Sequence, residues 1–232
     1  MNICVIPARG GSKRIPRKNI KPFLGRPIIA CSIEAAIQSN CFDQIIVSTD
    51  DDEIAQVSQS YGAQVPFTRP EKLSDDHTGT VPVVKHAIQW LEDRGKHIEN
   101  VCCLYATAPF INSDAIFKAF QHWQGTTFDY CFSVTSFPFP IQRAVKTTNT
   151  GGLEMFHSEH LNTRSQDLEE AYHDAGQFYW GKCQAFKEEI PIFSEAAIPY
   201  FLPRYLVQDI DTEEDWVRAE LMYRVLKEEG LV

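Results

Sequence analysis

The chain has 232 residues and a formal net charge of −9, from 31 acidic and 22 basic side chains. That balance argues against a general nucleic-acid binder and an electrostatic membrane anchor, both of which carry basic faces. With 44% hydrophobic and 23% charged residues, the composition is that of a globular chain long enough to bury one α/β core.

In chain order, the apolar run Ile3–Pro7 predicts a first strand. Pro27–Gln38 predicts a helix, with Pro27 at its first position and Ile29, Ile33, Ala36 and Ile37 on one face. The β-branched run Ile45–Thr49 predicts a second strand, and Asp52–Tyr61 a helix ended by Gly62. Val65–Phe67 reads as a short strand, and Thr80–Arg94 as a helix with Val84, Ala87, Ile88 and Leu91 inward. Val101–Tyr105 predicts a buried strand, Ser113–Trp123 a helix with Ile116, Phe117 and Phe120 as its stripe, and Asp129–Thr135 another strand. Residues 137–171 break this rhythm. They are polar, with a turn expected at Thr147–Gly152, and read as an insertion that serves as a flap or dimer arm. Gln177–Gly181 and Tyr205–Ile210 predict late strands. Thr212–Glu229 predicts the closing helix, with Thr212 as N-cap and Asp215 in a capping-box position.

This alternation predicts a three-layer α/β fold over residues 1–232. The expected sheet is mostly parallel and Rossmann-like, with helices on both faces. Ligands of such sheets sit outside the carboxyl ends of the strands. Seven cysteines form no C-x-x-C pair, and several lie in apolar runs such as Val101–Leu104. Free buried thiols in a reducing compartment are the expectation. With no secretory h-region and no apolar stretch of about 18 residues, the expected location is the cytoplasm. The histidines lack zinc-ligand spacing.

The charge is unevenly placed. Residues 1–26 hold Arg9, Lys13, Arg14, Arg17, Lys18, Lys21 and Arg26 and no acid, the first acid being Glu34. A transit peptide or basic tail is the alternative to a local anion site, and the strand-like Ile3–Ile6 argues against it. The loop Pro7–Asn19 follows the first strand directly. Gly10 and Gly11 let backbone N–H groups approach an anion, Arg9 offers a bidentate fork, Ser12 a hydroxyl, and Lys13 and Lys18 point charges. It matches neither standard phosphate fingerprint, and a solvated basic turn is the plain alternative.

Asp209 and Asp211, two apart on an expected strand, would point to one side and suit Mg²⁺. The alternative for Asp211 is an ordinary helix-start acid. Ser48–Glu53 reads as a strand end and an acid-rich first helical turn rather than a metal site. Arg69 and Ser74–Thr80 are loop residues that either bond a base and ribose or cap the following helix. His173-Asp174 suggests a dyad, but no G-x-S-x-G elbow supports a hydrolytic triad.

Ile6–Lys13, Ile15-Pro16, Lys18-Asn19, Ile46–Asp50, Arg69-Pro70 and Asp209–Thr212 together resemble, in order, the motifs of the sugar-acid cytidylyltransferases. The resemblance spans essentially the whole chain. It implies a nucleotide-diphospho-sugar transferase type of fold, CTP as donor, a nonulosonic acid as acceptor, Mg²⁺ as cofactor and a homodimer through residues 137–171. It places Ala8, Arg9, Gly10, Gly11, Ser12, Lys18, Asn19, Arg69, Thr78 and Thr80 on the nucleotide, with Arg9, Ser12 and Lys18 on the triphosphate and Asn19, Arg69, Thr78 and Thr80 on the cytidine. Asp209 and Asp211 are implied metal ligands, with Arg9, Lys18 and Asp211 as the catalytic set. Tyr105, Gln142, Arg143, His173 and Gln177 are the implied sugar contacts, and an arginine among them suits the sugar's carboxylate. Leu104–Phe110 and Tyr172–Trp180 look like the pseudaminic acid branch, with the N-acetylneuraminic and legionaminic branches as alternatives. Two readings from outside this branch set stand beside it: a transferase for another sugar and nucleotide, and a non-catalytic CTP sensor. The acid pair argues against the sensor, since pure binding needs no metal pair.

Overall fold

A computed structural model describes residues 1–232. Its elements in chain order are β1 (Asn2–Pro7), β2 (Pro22–Phe23), β3 (Arg26–Pro27), α1 (Ile29–Ser39), β4 (Gln44–Ser48), α2 (Asp52–Ser60), α3 (Thr80–Glu92) and β5 (Asn100–Leu104). They continue with α4 (Ser113–Trp123), β6 (Tyr130–Ser136), β7 (Val145–Thr147), β8 (Leu153–Met155), β9 (Tyr172–Lys182), α5 (Cys183–Lys187), β10 (Ala197–Phe201) and α6 (Glu213–Glu228).

One six-stranded sheet, ordered β10-β6-β9-β5-β1-β4, forms the middle layer. Five strands run one way; β9 alone is antiparallel to both its neighbours. Side chains alternate across the pleat, so β1 feeds both faces. Cys4 and Ile6 join Ile29, Ile33, Leu104, Phe178 and Trp180 on one side. Ile3 and Val5 join Val84, Ile88, Leu91 and Phe186 on the other. A third cluster of Phe23, Phe110, Trp216 and Leu226 seats α6. All seven cysteines are free thiols, six of them buried.

Several expectations need correction. Pro27 does not start α1. It pairs with Pro22 in the two-residue ribbon β2–β3, and the helix begins at Ile29. Ile37 and Phe117 are 43% and 42% exposed; the inward face of α4 is Ala115, Ile116, Ala119 and Trp123. Val65–Phe67 is no strand, for only isolated bridges at Gln64 and Thr68 touch the sheet. Tyr205–Ile210 is no strand either: Arg204–Leu206 forms a single 3-10 turn, and the chain then runs irregularly to α6. The last strand is instead β10, an edge strand that carries Pro199, as edges tolerate. No residue of 137–171 is buried. This segment carries the β7–β8 hairpin, closed where Thr148 N–H donates to Gly152 O at 2.9 Å.

Candidate functional site

The carboxyl ends of β1 and β5 open into one cleft, and the loop after β1 is folded over it by its own basic residues. Arg17 stands in the left-handed region, φ 57°. Its guanidinium grips Asp51 at 2.5 and 2.9 Å and Glu53 at 2.5 Å. Asp51 caps α2 by accepting from Ile54 N–H at 2.9 Å. The Arg17 hydrogen bond, then that backbone N–H, hold the Asp51 carboxyl down at about 2. Gly10 N–H donates to Asp50 at 2.9 Å, and a Cβ there would meet Asp51 Oδ2 at 2.9 Å, which explains the glycine. Asn19 Nδ2 donates back to Arg9 O at 2.9 Å. Lys21 and Arg26 point elsewhere, to Glu213 and Glu34.

The cleft, about 380 Å³, is lined by Arg9, Ser12, Lys13, Arg14, Lys18, Asn19, Arg69, Thr78, Thr80, Tyr105, Asp209 and Asp211 among others. Its cations are neutralised by the protein's own acids. Arg9 pairs with Asp76 at 2.7 Å and donates to Asp75 O at 2.6 Å, and Lys13 also pairs with Asp76. Arg14 and Lys18 reach Asp211 at 2.8 and 3.5 Å, and Lys18 Nζ donates to Ile210 O at 2.6 Å. These acids stand where a polyanion's oxygens would bind.

Arg69 differs. It is 4% exposed, its Nε and Nη2 have no hydrogen-bond partner, and its nearest acid is Asp50 at 3.9 Å. Burial pushes its guanidinium pKa down. A buried, under-bonded arginine lining a cleft leaves donors open to water or to a ligand's acceptors.

Asp209 and Asp211 face the same cleft although no strand aligns them. Crowding by protein atoms, and then Asp211, push the Asp209 carboxyl up. No third carboxylate, histidine or cysteine joins the pair. Two hard oxygen donors beside a cluster of cations fit a hard divalent ion such as Mg²⁺, which Asp209 and Asp211 would hold.

Two further hollows adjoin. One, about 360 Å³, is mostly apolar and runs from Thr80 and Tyr105 to Tyr179, Ile192 and Phe193; there Tyr179 OH donates to Asp174. Burial and that carboxylate drive the Tyr179 hydroxyl pKa far up. The other, about 420 Å³, holds His173, Asp174, Arg204, Asp209 and Arg218.

Of the residues singled out in the sequence, Gln142 and Arg143 are not brought here. They donate to Glu169 O and Thr163 O within the 137–171 segment. Gln177 is buried under the site, its Nε2 on Leu206 O at 2.6 Å. Ala8 is buried with its N–H on Ser48 O, and Gly11 is exposed. Asp50 and Asp76 fall within Ser48–Glu53 and Ser74–Thr80, segments marked in the sequence, but their contacts with Gly10 N–H and with Arg9 and Lys13 were not foreseen, because only the fold brings those loops together. A larger hollow, about 530 Å³, lies at the opposite strand ends around Glu92, Lys182 and Lys187. Its two lysines are already paired with Asp129 and Glu92, so no free cation converges there.

The family model described as Cytidylyltransferase matches residues 3–227. A pseudaminic acid cytidylyltransferase of Campylobacter jejuni serotype O:2 is 47% identical, over 97% of each chain. A CMP-N,N'-diacetyllegionaminic acid synthase of Legionella pneumophila is 31% identical over 99% of each. Among solved structures, a CMP:2-keto-3-deoxy-manno-octonic acid synthetase complexed with CTP superposes with TM-score 0.68, covering 96% of this chain and 98% of its own at 16% identity. That last likeness carries the fold.

Proposed function

The chain belongs to the cytidylyltransferase family, and on that premise we propose that it transfers CMP from CTP to pseudaminic acid, releasing pyrophosphate. The observation that carries this reading is the cleft itself. Cations on one loop, a buried arginine without partners and two carboxylates converge at the strand ends.

In this reading Arg9, Ser12, Lys18 and the Gly10-Gly11 backbone hold the triphosphate, exchanging Asp76 and Asp211 for phosphate oxygens. Arg69, with Asn19, Thr78 and Thr80, receives the cytidine. The sugar's anomeric hydroxyl attacks the α-phosphorus and loses its proton to water, a P–O bond forms, and the bond to the β-phosphate oxygen breaks to release pyrophosphate. Positioning and charge neutralisation supply most of the acceleration in such a transfer. Asp209 and Asp211 would hold Mg²⁺, whose chemistry is to neutralise phosphate charge. Lys18, bonded to Ile210 O, fixes the backbone between those two acids.

The homodimer belongs to the same proposal. Phe139, Leu153, Phe156 and Leu161 are 78%, 71%, 60% and 65% exposed on the 137–171 segment, an apolar surface suited to a second copy. Gln142 and Arg143 could then touch sugar only in the partner's cleft. No helix is long and apolar enough to cross a membrane; the free thiols suit the cytoplasm.

Mixing the protein with CTP, Mg²⁺ and pseudaminic acid tests the reading. Equal amounts of CMP-sugar and pyrophosphate are expected. CTP binding without pyrophosphate release would make the protein a sensor instead.

A further inference from the structure

The loop after β1 and the Arg69 segment are tied to three consecutive residues at the end of β4. Ala8 N–H donates to Ser48 O at 2.9 Å, Arg69 N–H to Thr49 O at 2.7 Å, and Gly10 N–H to Asp50 Oδ1 at 2.9 Å. The first two ties use backbone carbonyls, which residues of any type would supply. The third needs a side-chain acceptor at position 50. It is the only bond from a backbone N–H of residues 7–19 to a side chain.

Asp50 and Asn19 grip one peptide group from both sides. Asn19 Nδ2 donates to Arg9 O at 2.9 Å, and the N–H of that same peptide is the Gly10 amide that Asp50 accepts. A peptide held at both its oxygen and its nitrogen resists flipping, although Gly10 and Gly11 would otherwise make a flip cheap. Gly11 N–H makes no hydrogen bond and is left as an open amide of the loop. The same Asp50 oxygen faces Arg69. It lies 3.9 Å from Nη2, too far for a hydrogen bond, yet Asp50 is the nearest acid to a buried guanidinium whose Nε and Nη2 have no partner. At that range, in a partly buried setting, a carboxylate still directs a cation by charge. Asp50 does not line the cleft, so it acts on a ligand only through these two neighbours.

We propose that Asp50 is a positioning residue that sets the triphosphate loop and Arg69 from one carboxylate, so that the two ends of CTP meet groups held at a fixed spacing. This rests on the reading that the cleft binds CTP with Arg69 toward the cytidine. The acids after β4 then divide their work: Asp50 sets the binding groups, while Asp51 and Glu53 hold Arg17.

The test measures dissociation constants by calorimetry, with Mg²⁺ present, for CTP and for inorganic triphosphate, which has no base and probes the loop alone. The proteins are wild type, Asp50→Asn, Asp50→Ala, Arg69→Met and the two double variants. Asparagine keeps an oxygen for Gly10 N–H and loses the charge opposite Arg69; alanine loses both. Asp50→Asn should weaken CTP about fivefold or more and weaken triphosphate by no more than about twofold. Asp50→Ala should weaken both ligands about tenfold or more. In the Arg69→Met background, Asp50→Asn should change CTP binding by no more than about twofold, because its effect runs through Arg69, whereas Asp50→Ala should keep a penalty. The asparagine comparison decides by itself if Asp50→Ala does not fold. A merely structural role would give Asp50→Asn the same penalty with and without Arg69. That equality, or unchanged CTP binding in Asp50→Asn, overturns the assignment alone. A wild type that binds no CTP overturns the function reading and this assignment with it.

Discussion

Arg69 shows how a single residue separates binding from stability. Its buried guanidinium has unpartnered nitrogens and only a distant Asp50, so the ligand-free fold gains little from it. Arg69→Met should raise KM for CTP by about 10- to 100-fold, the loss of charged hydrogen bonds. Its ligand-free melting temperature should hold or rise, because an uncompensated buried charge is removed. A lower melting temperature with unchanged KM would make Arg69 structural. Asp51 is the opposite case, a residue that holds the loop through Arg17 and does not line the cleft. Its carboxyl lies at about 2 because Arg17 and a helix N–H bond it, below the roughly 3.9 of an unfolded aspartate. A depressed pKa stabilises fully above the unfolded value and is lost as pH falls toward the folded one. Urea unfolding should therefore show a constant gap between wild type and Asp51→Asn from about pH 5 upward, narrowing below about pH 4. A gap independent of pH down to about 2 would contradict the ion pair.

Among the elements, the start of α6 does most to place the acid pair. Thr212 and Asp215 close the capping box, and Asp215 Oδ2 also accepts from Asp211 N–H at 3.1 Å. Asp215→Ala should cost about 1 kcal/mol and lower kcat while leaving KM for CTP nearly unchanged, although Asp215 is outside the cleft. Full kcat after that loss would show that the cap does not position Asp211. The cap was legible in the sequence because it is local: a threonine and an acid three residues on. The Pro7–Asn19 loop was legible for a similar reason, with two glycines and clustered cations directly after an apolar run. Tyr205–Ile210 misled because its alternating Tyr205 and Val207 imitate a strand. Its true path is set from afar, by the Gln177 side chain on Leu206 O. The edge strand β10 was hidden by Pro199 and by half-buried Ala197, Ile198 and Tyr200. Asp76 sits in the loop Ser74–Thr80 that the sequence marked, but its pairing with Arg9 and Lys13 is made only by the fold.

At the scale of the molecule, the net charge of −9 conceals a neutralised arrangement. Every one of the seven cations in residues 1–26 meets an acid from later in the chain. Three of them, Arg17, Lys21 and Arg26, fasten the loop and ribbon, and the other four line the cleft. The proposed homodimer belongs to the same scale: if the wild type sediments as a dimer, Leu153→Glu with Phe139→Glu should give monomers without loss of helix signal, and an unaffected dimer would contradict an interface on residues 137–171. The central claim concerns the acceptor and donor together. It is tested most directly by kcat/KM measured side by side for pseudaminic, legionaminic and N-acetylneuraminic acids with CTP and Mg²⁺. The account predicts CMP-sugar formation with pseudaminic acid favoured over the other two by about tenfold or more, a difference of roughly 1.4 kcal/mol. Equal or greater turnover of another acid, or none with any, would contradict it.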